Sequence, residues 1–398
     1  MRIRSFTNSI YQKLTYNILM KDGAIMYSNN RTLVEIHTAD IHFGAMDPKT
    51  QYDILMDQMI KEVSKIHFDA FFINGDLFHH KFMSNSDVIM YALLFVDEIV
   101  KLCIRNNATL VLLHGTFSHD ADQLKLFYRY INSGVDIRIV EYMQFQDIKG
   151  TKVLCIPEEY GKGRDYYEQL LYYTQDYDMA VLHGNIKGAI YGMDKENLDS
   201  PKSPVFDINS FARCNGPILC GHVHVQGCFQ NHIYYSGSPL RWKFGEEQEK
   251  GFLVLLYDKP THQYSVQFQP VKSFRYDTIN LDEMINADPK TIINHIMNLK
   301  NSGIDFIKVR FKNATTSTDA VKQYFSTKNH NIIIDVQDSG FIESMKENQK
   351  NNNKFAKYDY IFDPNLSEYE IFAKYVNQSK GEEFITSDEL IKILTDVI

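Results

Sequence analysis

Short and nearly continuous apolar runs recur along this chain, each followed within a few residues by aspartate or histidine. Leu33–Thr38, Ala70–Asn74, Thr109–Leu113, Met179–Leu182 and Pro217–Cys220 are all of this kind. Runs of that length without alternation predict strands buried on both faces of a sheet. Between several of them the spacing turns helical, over Gln51–Ile66 and Asp87–Asn106. Strands alternating with helices predict an α/β layered domain over 31–270.

Beyond residue 270 the pattern changes. Asp288-Pro289 places a proline at the first position of a helix running to about Lys300. Asp305–Phe311 alternates as a strand, Asp319–Ser326 is helical, and Asn331–Val336 is a further strand. That order predicts a small α+β domain over 271–340. Glu347–Lys354 is polar and aperiodic, which makes 341–364 a linker.

Two short helices follow over 365–398, each with a full start signal. Ser367 and Glu370 form a capping box stapled by Leu366 and Ile371, and Thr386 with Glu389 repeats the device between Ile385 and Leu390. Helices this short are marginal alone, below the ~12–15 residues an isolated helix needs, so their apolar faces must dock on something. Before the first strand, residues 1–30 form an extension in which Leu14–Met20 and Ala24–Tyr27 flank an Asp22-Gly23 turn, the pattern of a hairpin.

The residues at the strand ends change this picture from a fold to a chemistry. Asp40-Ile-His42, Gly75-Asp76, His119-Asp120, His183-Gly184 and Gly221-His222-Val-His224 come in that order. In open α/β sheets the strand ends are where ligands bind. Carboxylate oxygen with imidazole nitrogen suits manganese, iron or zinc. Two such ions about 3.5–4 Å apart clamp the attacking and leaving oxygens of a phosphoryl displacement. His37, His67 and His330 have no such company and are expected to be structural, and His80 and His114 are neighbours of the motifs only.

Charge and composition then narrow the partners. A length of 398 residues suggests two to three domains, at about 150 residues each. No apolar run approaches the ~20 residues of a membrane span. The five cysteines lack paired spacing and sit mostly in apolar contexts, which predicts reduced thiols in a cytoplasmic protein. A net charge of −8 is unusual for a chain that grips nucleic acid unaided, because that grip rests on Lys and Arg. Lys81, Lys162, Arg164, Lys187, Arg241 and Lys243 are the basic residues available to line a groove.

The order of these motifs resembles that of calcineurin-like metallophosphoesterases, and within them the SbcD branch of double-strand-break-repair nucleases, phage members included. The narrower likeness is carried by Gly75–His79, by His222-Val-His224 with Tyr234–Pro239, Phe244–Glu246 and Lys250–Phe252, and by the C-terminal architecture. It implies a layered metallophosphoesterase sandwich of two sheets flanked by helices, with a small α+β capping domain and a C-terminal helix-loop-helix. It implies that Asp40, His42 and His224 hold one ion, that Asp76 bridges, and that His183 and His222 hold the other. His119 would act as catalytic histidine oriented by Asp120, and His79 would contact the phosphate or the leaving group.

One departure stands out. The family usually reads Gly-Asn-His-Asp, with the asparagine oxygen on the second metal. Here the loop is Gly115-Thr-Phe-Ser-His119-Asp120, and Ser118 is expected in the asparagine's place.

The resemblance further implies a DNA exonuclease, with endonuclease activity in addition, that uses two divalent ions, manganese first and magnesium, iron or zinc as alternatives. It would work in DNA repair, recombination or replication in the cytoplasm of a bacterium or phage-infected cell. Residues 365–398 would bind the SMC-like ATPase SbcC, with two copies of this chain in a heterotetramer. The alternatives are a phosphatase or cyclic-nucleotide phosphodiesterase on the same site, or a non-catalytic scaffold for the ATPase.

Overall fold

The computed structural model describes residues 31–188, 205–328 and 331–336, with Lys374 and Asn377 in addition. The 1–30 extension with its hairpin, the 341–364 linker, His330 and the 365–398 helix pair (apart from those two residues) lie outside the described residues. Two compact units are present. The first comprises Met1–Asp277 with Gly303–Phe306, the second Thr278–Ser302 with Ile307–Ile398.

In the first unit β1 (Thr32–Thr38), β2 (Ala70–Ile73), β3 (Thr109–Leu113) and β4 (Asp136–Val140) lie parallel and side by side. The chain then enters a second sheet with β5 (Gln144–Ile148), β6 (Thr151–Ile156) and β7 (Met179–His183). A two-stranded ribbon of β8 (Asn185–Ile186) and β9 (Val205–Phe206) follows. The second sheet is completed by β10 (Ile218–Gly221), β11 (Gly227–Phe229) and β12 (Ile233–Tyr235). Finally β13 (Lys250–Asp258) and β14 (Gln263–Val271) return to the first sheet, β13 pairing antiparallel with β1 so that Val254 lies opposite Ile36. The sheet orders are β14-β13-β1-β2-β3-β4 and β11-β12-β10-β7-β6-β5.

The continuous apolar runs are explained by burial on both faces. Phe72, Val111 and Leu255 of the first sheet share one core cluster with Val153, Val181 and Leu219 of the second. On the first sheet's other face, Ile36, Phe71 and Leu110 pack with residues of α1 (Pro48–Ile54) and of α2 (Asp87–Asn106). On the second sheet's other face, Ile156, Ala180 and Ile218 pack against Tyr167 and Leu171 of α3 (Arg164–Tyr173). The result is a helix–sheet–sheet–helix sandwich, in which each fully buried Phe or Leu contributes roughly 1.5–3 kcal/mol over leaving it exposed.

The helix expected over Gln51–Ile66 departs from a simple α-helix. Asp47 caps α1 through Thr50 N at 2.9 Å, the helix widens into a π-turn at Leu55–Ile60, and it ends as α-helix at Lys61–Val63. Leu55, Met59 and Ile60 of that turn are buried in the core. The five cysteines are free thiols, three of them buried, as their apolar contexts predict. His37 is structural, stacked on Phe72 at 4.6 Å and bonded to Glu35 at 2.9 Å.

The second unit holds most of a three-stranded sheet, β15 (Tyr276–Asn280), β16 (Phe306–Phe311) and β17 (Ile332–Val336), in that order. It also holds α4 (Pro289–Asn301) and α5 (Thr316–Lys328). Asp288 caps α4, accepting from Lys290 N at 3.1 Å and Thr291 N at 3.3 Å. Ile292, Ile296, Ile307, Val309, Val321 and Phe325 are among its buried apolar residues, and β16 and β17 run parallel with Ile307 opposite Ile332. No helix among the described residues is long and apolar enough to cross a membrane.

Candidate metal centre

The carboxyl ends of β1, β2, β3, β7 and β10 meet at one end of the sandwich. Asp40 and His42 follow β1, Asp76 follows β2, His183 closes β7, and His222 and His224 follow β10. Register brings the second sheet's donors together, since Gly221 pairs with His183. Between β1 and β2 the ladder continues past the strands, with Asp40 N donating to Gly75 O and His42 N to Asp76 O, both at 3.0 Å.

Aiming these side chains bends the backbone into the left-handed region. Asp40, His42, Asp76 and His222 sit at φ of 53°, 51°, 53° and 84°. For residues with a Cβ this costs on the order of 1–3 kcal/mol each, and it persists only where the surroundings hold it. Four strained residues among six candidate ligands mark a place where the fold gives up stability for geometry.

The donor atoms form two groups. Those of Asp40, His42 and His224 lie within 4.8 Å of one another, and those of Asp76, His183 and His222 do the same. Asp76 Oδ2 stands 3.8 Å from His42 Nε2 and 3.4 Å from His183 Nε2, so one carboxylate oxygen faces both groups. His42 Nε2 and His224 Nε2 approach to 3.1 Å, and His222 Nδ1 and His183 Nε2 to 3.3 Å. Buried imidazole nitrogens directed at one another and at two buried carboxylates fit a pair of divalent cations between them. A third group, His42, His79 and His119, shares His42 with the first.

Residues 36–226 match the calcineurin-like phosphoesterase family. That segment, just under half of the chain, is a calcineurin-like metallophosphoesterase region. It is similar to the curated protein "Putative phosphoesterase 244L" of Invertebrate iridescent virus 6, at 23% identity over 212 residues, 52% of this chain and 71% of the viral one. One solved structure is matched at a TM-score of 0.39 and 13% identity, covering 60% of this chain and 99% of its own. A second, TT1561 of Thermus thermophilus, is matched at 0.34 and 10% identity, again over 60% of this chain and 99% of its own. The family makes this a metal-dependent hydrolase, and the two donor groups are its candidate sites.

Around the phosphoesterase centre, a second ring of contacts orients the donors. His183 Nδ1 donates to Asn74 O at 2.7 Å, which turns Nε2 toward the centre. Behind His224 stands Glu246, its Oε1 3.7 Å from His224 Nδ1 and 3.4 Å from Lys250 Nζ. Lys250, itself buried, donates to His224 O at 3.0 Å and Ser238 Oγ at 2.8 Å. The only tryptophan of the sequence, Trp242, donates its backbone N–H to Glu246 Oε2 at 3.0 Å. Its ring lies 5.1 Å from those of His42 and His79 and 5.2 Å from His224.

Two expectations are corrected here. Asp120 does not orient His119. Wholly buried, it accepts from Gly115 N at 2.9 Å, Asp76 N at 3.0 Å and Phe78 N at 3.1 Å, and so ties the β2 and β3 loops together. His119 is turned instead by its Nδ1, which donates to the carbonyl of His79. Nor does Ser118 take the asparagine's place. It is exposed, whereas Thr116 donates its N–H to Asp76 Oδ1 at 2.6 Å and holds its hydroxyl 3.4 Å from both Asp76 Oδ2 and His183 Nε2. Thr116 is the residue directly after Gly115, which is the signal that counting back from His119 overlooks. Glu158, at the end of β6, is buried beside Thr116 and Phe117 and gives no signal in the sequence.

The electrostatics follow from burial and mutual proximity. Burial pushes Asp40 up to about 6, against the pull of His224 and His183. Burial would raise Asp76 too, but the charged His183 bonded to it outweighs that and holds the carboxyl well below the usual carboxylate range. Burial lowers His42 well below its ordinary value and takes His222 down to about 3, so both present lone pairs at neutral pH. Burial opposes charge on His183 as well, yet Asp76 and Asp40 prevail and carry it up to about 10.

Without ions, then, His183 keeps its second proton at neutral pH, and an incoming cation must displace it. Affinity should therefore fall as pH falls, by about tenfold per unit for one displaced proton between pH 9 and 7, and more steeply below pH 6 as Asp40 protonates. Manganese titration of metal-free protein at several pH values, with proton release measured, checks this; a flat profile would contradict it.

Close approach also predicts a sensitive glycine. Gly75 sits at φ +91°, and a Cβ there would lie 2.2 Å from His183 Nδ1 and 2.9 Å from Gly115 Cα. Gly75→Ala should displace the His183 ring and reduce bound metal from two ions to fewer while lowering the melting temperature, as read by elemental analysis and calorimetry.

Proposed function

We propose that this phosphoesterase is a DNA nuclease using two divalent ions, manganese in the first instance, and that it serves as the nuclease subunit of an SbcC–SbcD-type complex in DNA repair, recombination or replication. The observation that carries the reading is the third histidine group. His79 and His119 gather around His42 of the first donor group without being part of the Asp40–His42–His224 set, which leaves them to meet a phosphodiester. Aromatic surface at the same place supports a nucleic-acid substrate: Trp242 flanks three of the histidines, and Phe117 is exposed in the loop that carries Thr116.

The ions, when bound, supply an activated water and neutralise phosphate oxygens. His119, its Nδ1 bonded to the His79 carbonyl, presents Nε2 to the leaving 3′ oxygen and hands it a proton. Asp76 keeps both donor groups in one frame, locked by Thr116 N and, through its own N–H, by Asp120. Wild-type protein should cleave linear double-stranded DNA in a manganese-dependent way, and Asp76→Ala should abolish cleavage while the fold survives. His119→Ala should lose about 10²–10⁴ in turnover yet retain metal, the usual size of a general acid–base contribution. Loss of metal along with activity would make His119 a ligand.

The net charge of −8 favours a second reading, a phosphatase or cyclic-nucleotide phosphodiesterase on the same site. It would show as activity on small phosphoesters and none on DNA with or without the ATPase. A bound metal pair with no activity on either class would instead indicate the scaffold.

The partner part of the proposal rests on the capped helices of 365–398, two copies of this chain joining the ATPase. Deleting 365–398 should leave a metal-loaded core with nuclease activity that no longer co-purifies with the ATPase, because a tethered module can be removed without opening a core. Phe372→Asp alone should weaken the complex. Aggregation or a much lower melting temperature on truncation would place the helices in the chain's own core.

A further inference from the structure

The two donor groups are unequally furnished. The first has Asp40, His42 and His224, with Asp76 Oδ2 facing it as a fourth donor. The second has Asp76, His183 and His222 alone. The first thus has a carboxylate of its own besides the shared one; the second has only the shared one. The next oxygen at the second group is the Thr116 hydroxyl, 3.4 Å from Asp76 Oδ2 and 3.4 Å from His183 Nε2. A hydroxyl carries one proton and two lone pairs, and it faces a cation only if that proton is taken elsewhere.

The structure puts an acceptor behind it. Glu158 is 6% exposed, its backbone N–H is fixed to His114 O at 3.1 Å, and its carboxyl lies beside the Thr116 hydroxyl and the Phe117 amide. Its Oε2 is buried without a hydrogen-bond partner among the described residues. Leaving a buried carboxylate oxygen unsatisfied costs about 1–3 kcal/mol or more, so its place requires an explanation. Nothing in the fold of β6 asks for a glutamate there, since the neighbouring backbone bond is made by the main chain alone.

We propose that Thr116 is the fourth protein donor of the second group, and that Glu158 is the positioning residue that accepts the Thr116 hydroxyl hydrogen bond and so turns an oxygen lone pair toward the cation. The inference rests on the two-ion reading above and deepens it. The pair replaces in two side chains what one amide oxygen would do, the hydroxyl facing the cation and the carboxyl behind it holding the proton away.

The test is stepwise manganese titration of the metal-free full-length chain, followed by calorimetry and by the electron-paramagnetic-resonance signal of free manganese. Wild type binding no ions would overturn the two-ion reading itself; two ions bound keeps it and makes the rest readable. Glu158→Gln and Thr116→Val should each weaken one binding step by about 10–100-fold and leave the other unchanged, the range typical of partners behind a ligand. The double variant should be no weaker than Thr116→Val alone. Thr116→Ser should keep both steps. Thr116→Asn should restore the lost step in a Glu158→Gln background, because an amide oxygen carries no proton that must be pointed away from the cation.

Wild-type behaviour in both single variants, equal loss of both steps, or losses that add would overturn the assignment. Should Glu158→Gln fail to fold, the Thr116 variants decide alone: threonine and valine share a shape, so Thr116→Val keeping both steps would refute it.

Discussion

Six ionisable or imidazole side chains, drawn from the ends of strands in two different sheets, have to converge in a largely buried place, and that constraint governs the first unit. Two buried carboxylates repel, and desolvation alone would drive both toward neutrality. The fold answers locally. Asp76 is kept ionised by His183, while the His222 backbone N–H donates to both oxygens of Asp40, at 3.1 and 3.0 Å. The four left-handed residues are the mechanical counterpart of this electrostatic arrangement, because no relaxed turn would bring His42 and His224 nitrogens to 3.1 Å. Sandwich packing has to be rigid enough to hold both kinds of strain, and the inter-sheet core of Phe72, Val111, Val181 and Leu219 is where that rigidity lies.

Much of this was legible in the residues. Strands buried on both faces announce themselves as unbroken apolar runs, which is why β1, β2, β3, β7 and β10 are readable, and their ends carry the six candidate ligands. The loop after β3 was not. Insertion of Phe117 and Ser118 lets the register be counted from His119 or from Gly115, and only the folded chain shows Thr116 facing Asp76. Asp120 misleads for a related reason: adjacency to His119 suggests a pair, yet its oxygens satisfy the backbone N–H of Gly115 in its own loop and those of Asp76 and Phe78 in the remote loop after β2. Glu158 and the role of Lys250 are illegible because nothing local in sequence tells a buried glutamate or lysine from a solvated one. The strands β13 and β14 carry no candidate metal ligand and close the first sheet from far along the chain, a non-local pairing that no period announces.

The basic residues bear on the substrate. Arg241 donates to the carbonyls of Glu247, Gln248 and Phe274 and so braces its own loop. Arg164 pairs with Glu168, and Lys162 lies over the Tyr166 ring. Side chains engaged in this way are not laid out as a phosphate-tracking groove, and the net charge of −8 agrees. Local attraction for a phosphodiester must then come chiefly from bound cations and from aromatic surface such as Trp242, with Lys243 over its ring at 5.0 Å. A nuclease so built would depend on a basic partner for grip over any length of DNA, which is the physical reason the proposed ATPase complex and the acidic charge belong together.

Behind the histidines the centre is graded rather than symmetric. His183 leans on a neutral acceptor, the Asn74 carbonyl, whereas His224 faces a glutamate whose charge is balanced by a buried lysine. A carboxylate behind an imidazole makes the ligating nitrogen more basic than a carbonyl does. Burial alone would raise Glu246, but His224 and Lys250 outweigh it and keep it ionised, so it is a persistent charge rather than a conditional one. The same Lys250 fixes the His224 carbonyl and Ser238, and the same Glu246 anchors the Trp242 backbone. One buried ion pair therefore sets the basicity of a candidate ligand and also the seat of the aromatic ring beside it. Metal affinity in the first group and the shape of the substrate's approach are coupled through residues that touch neither.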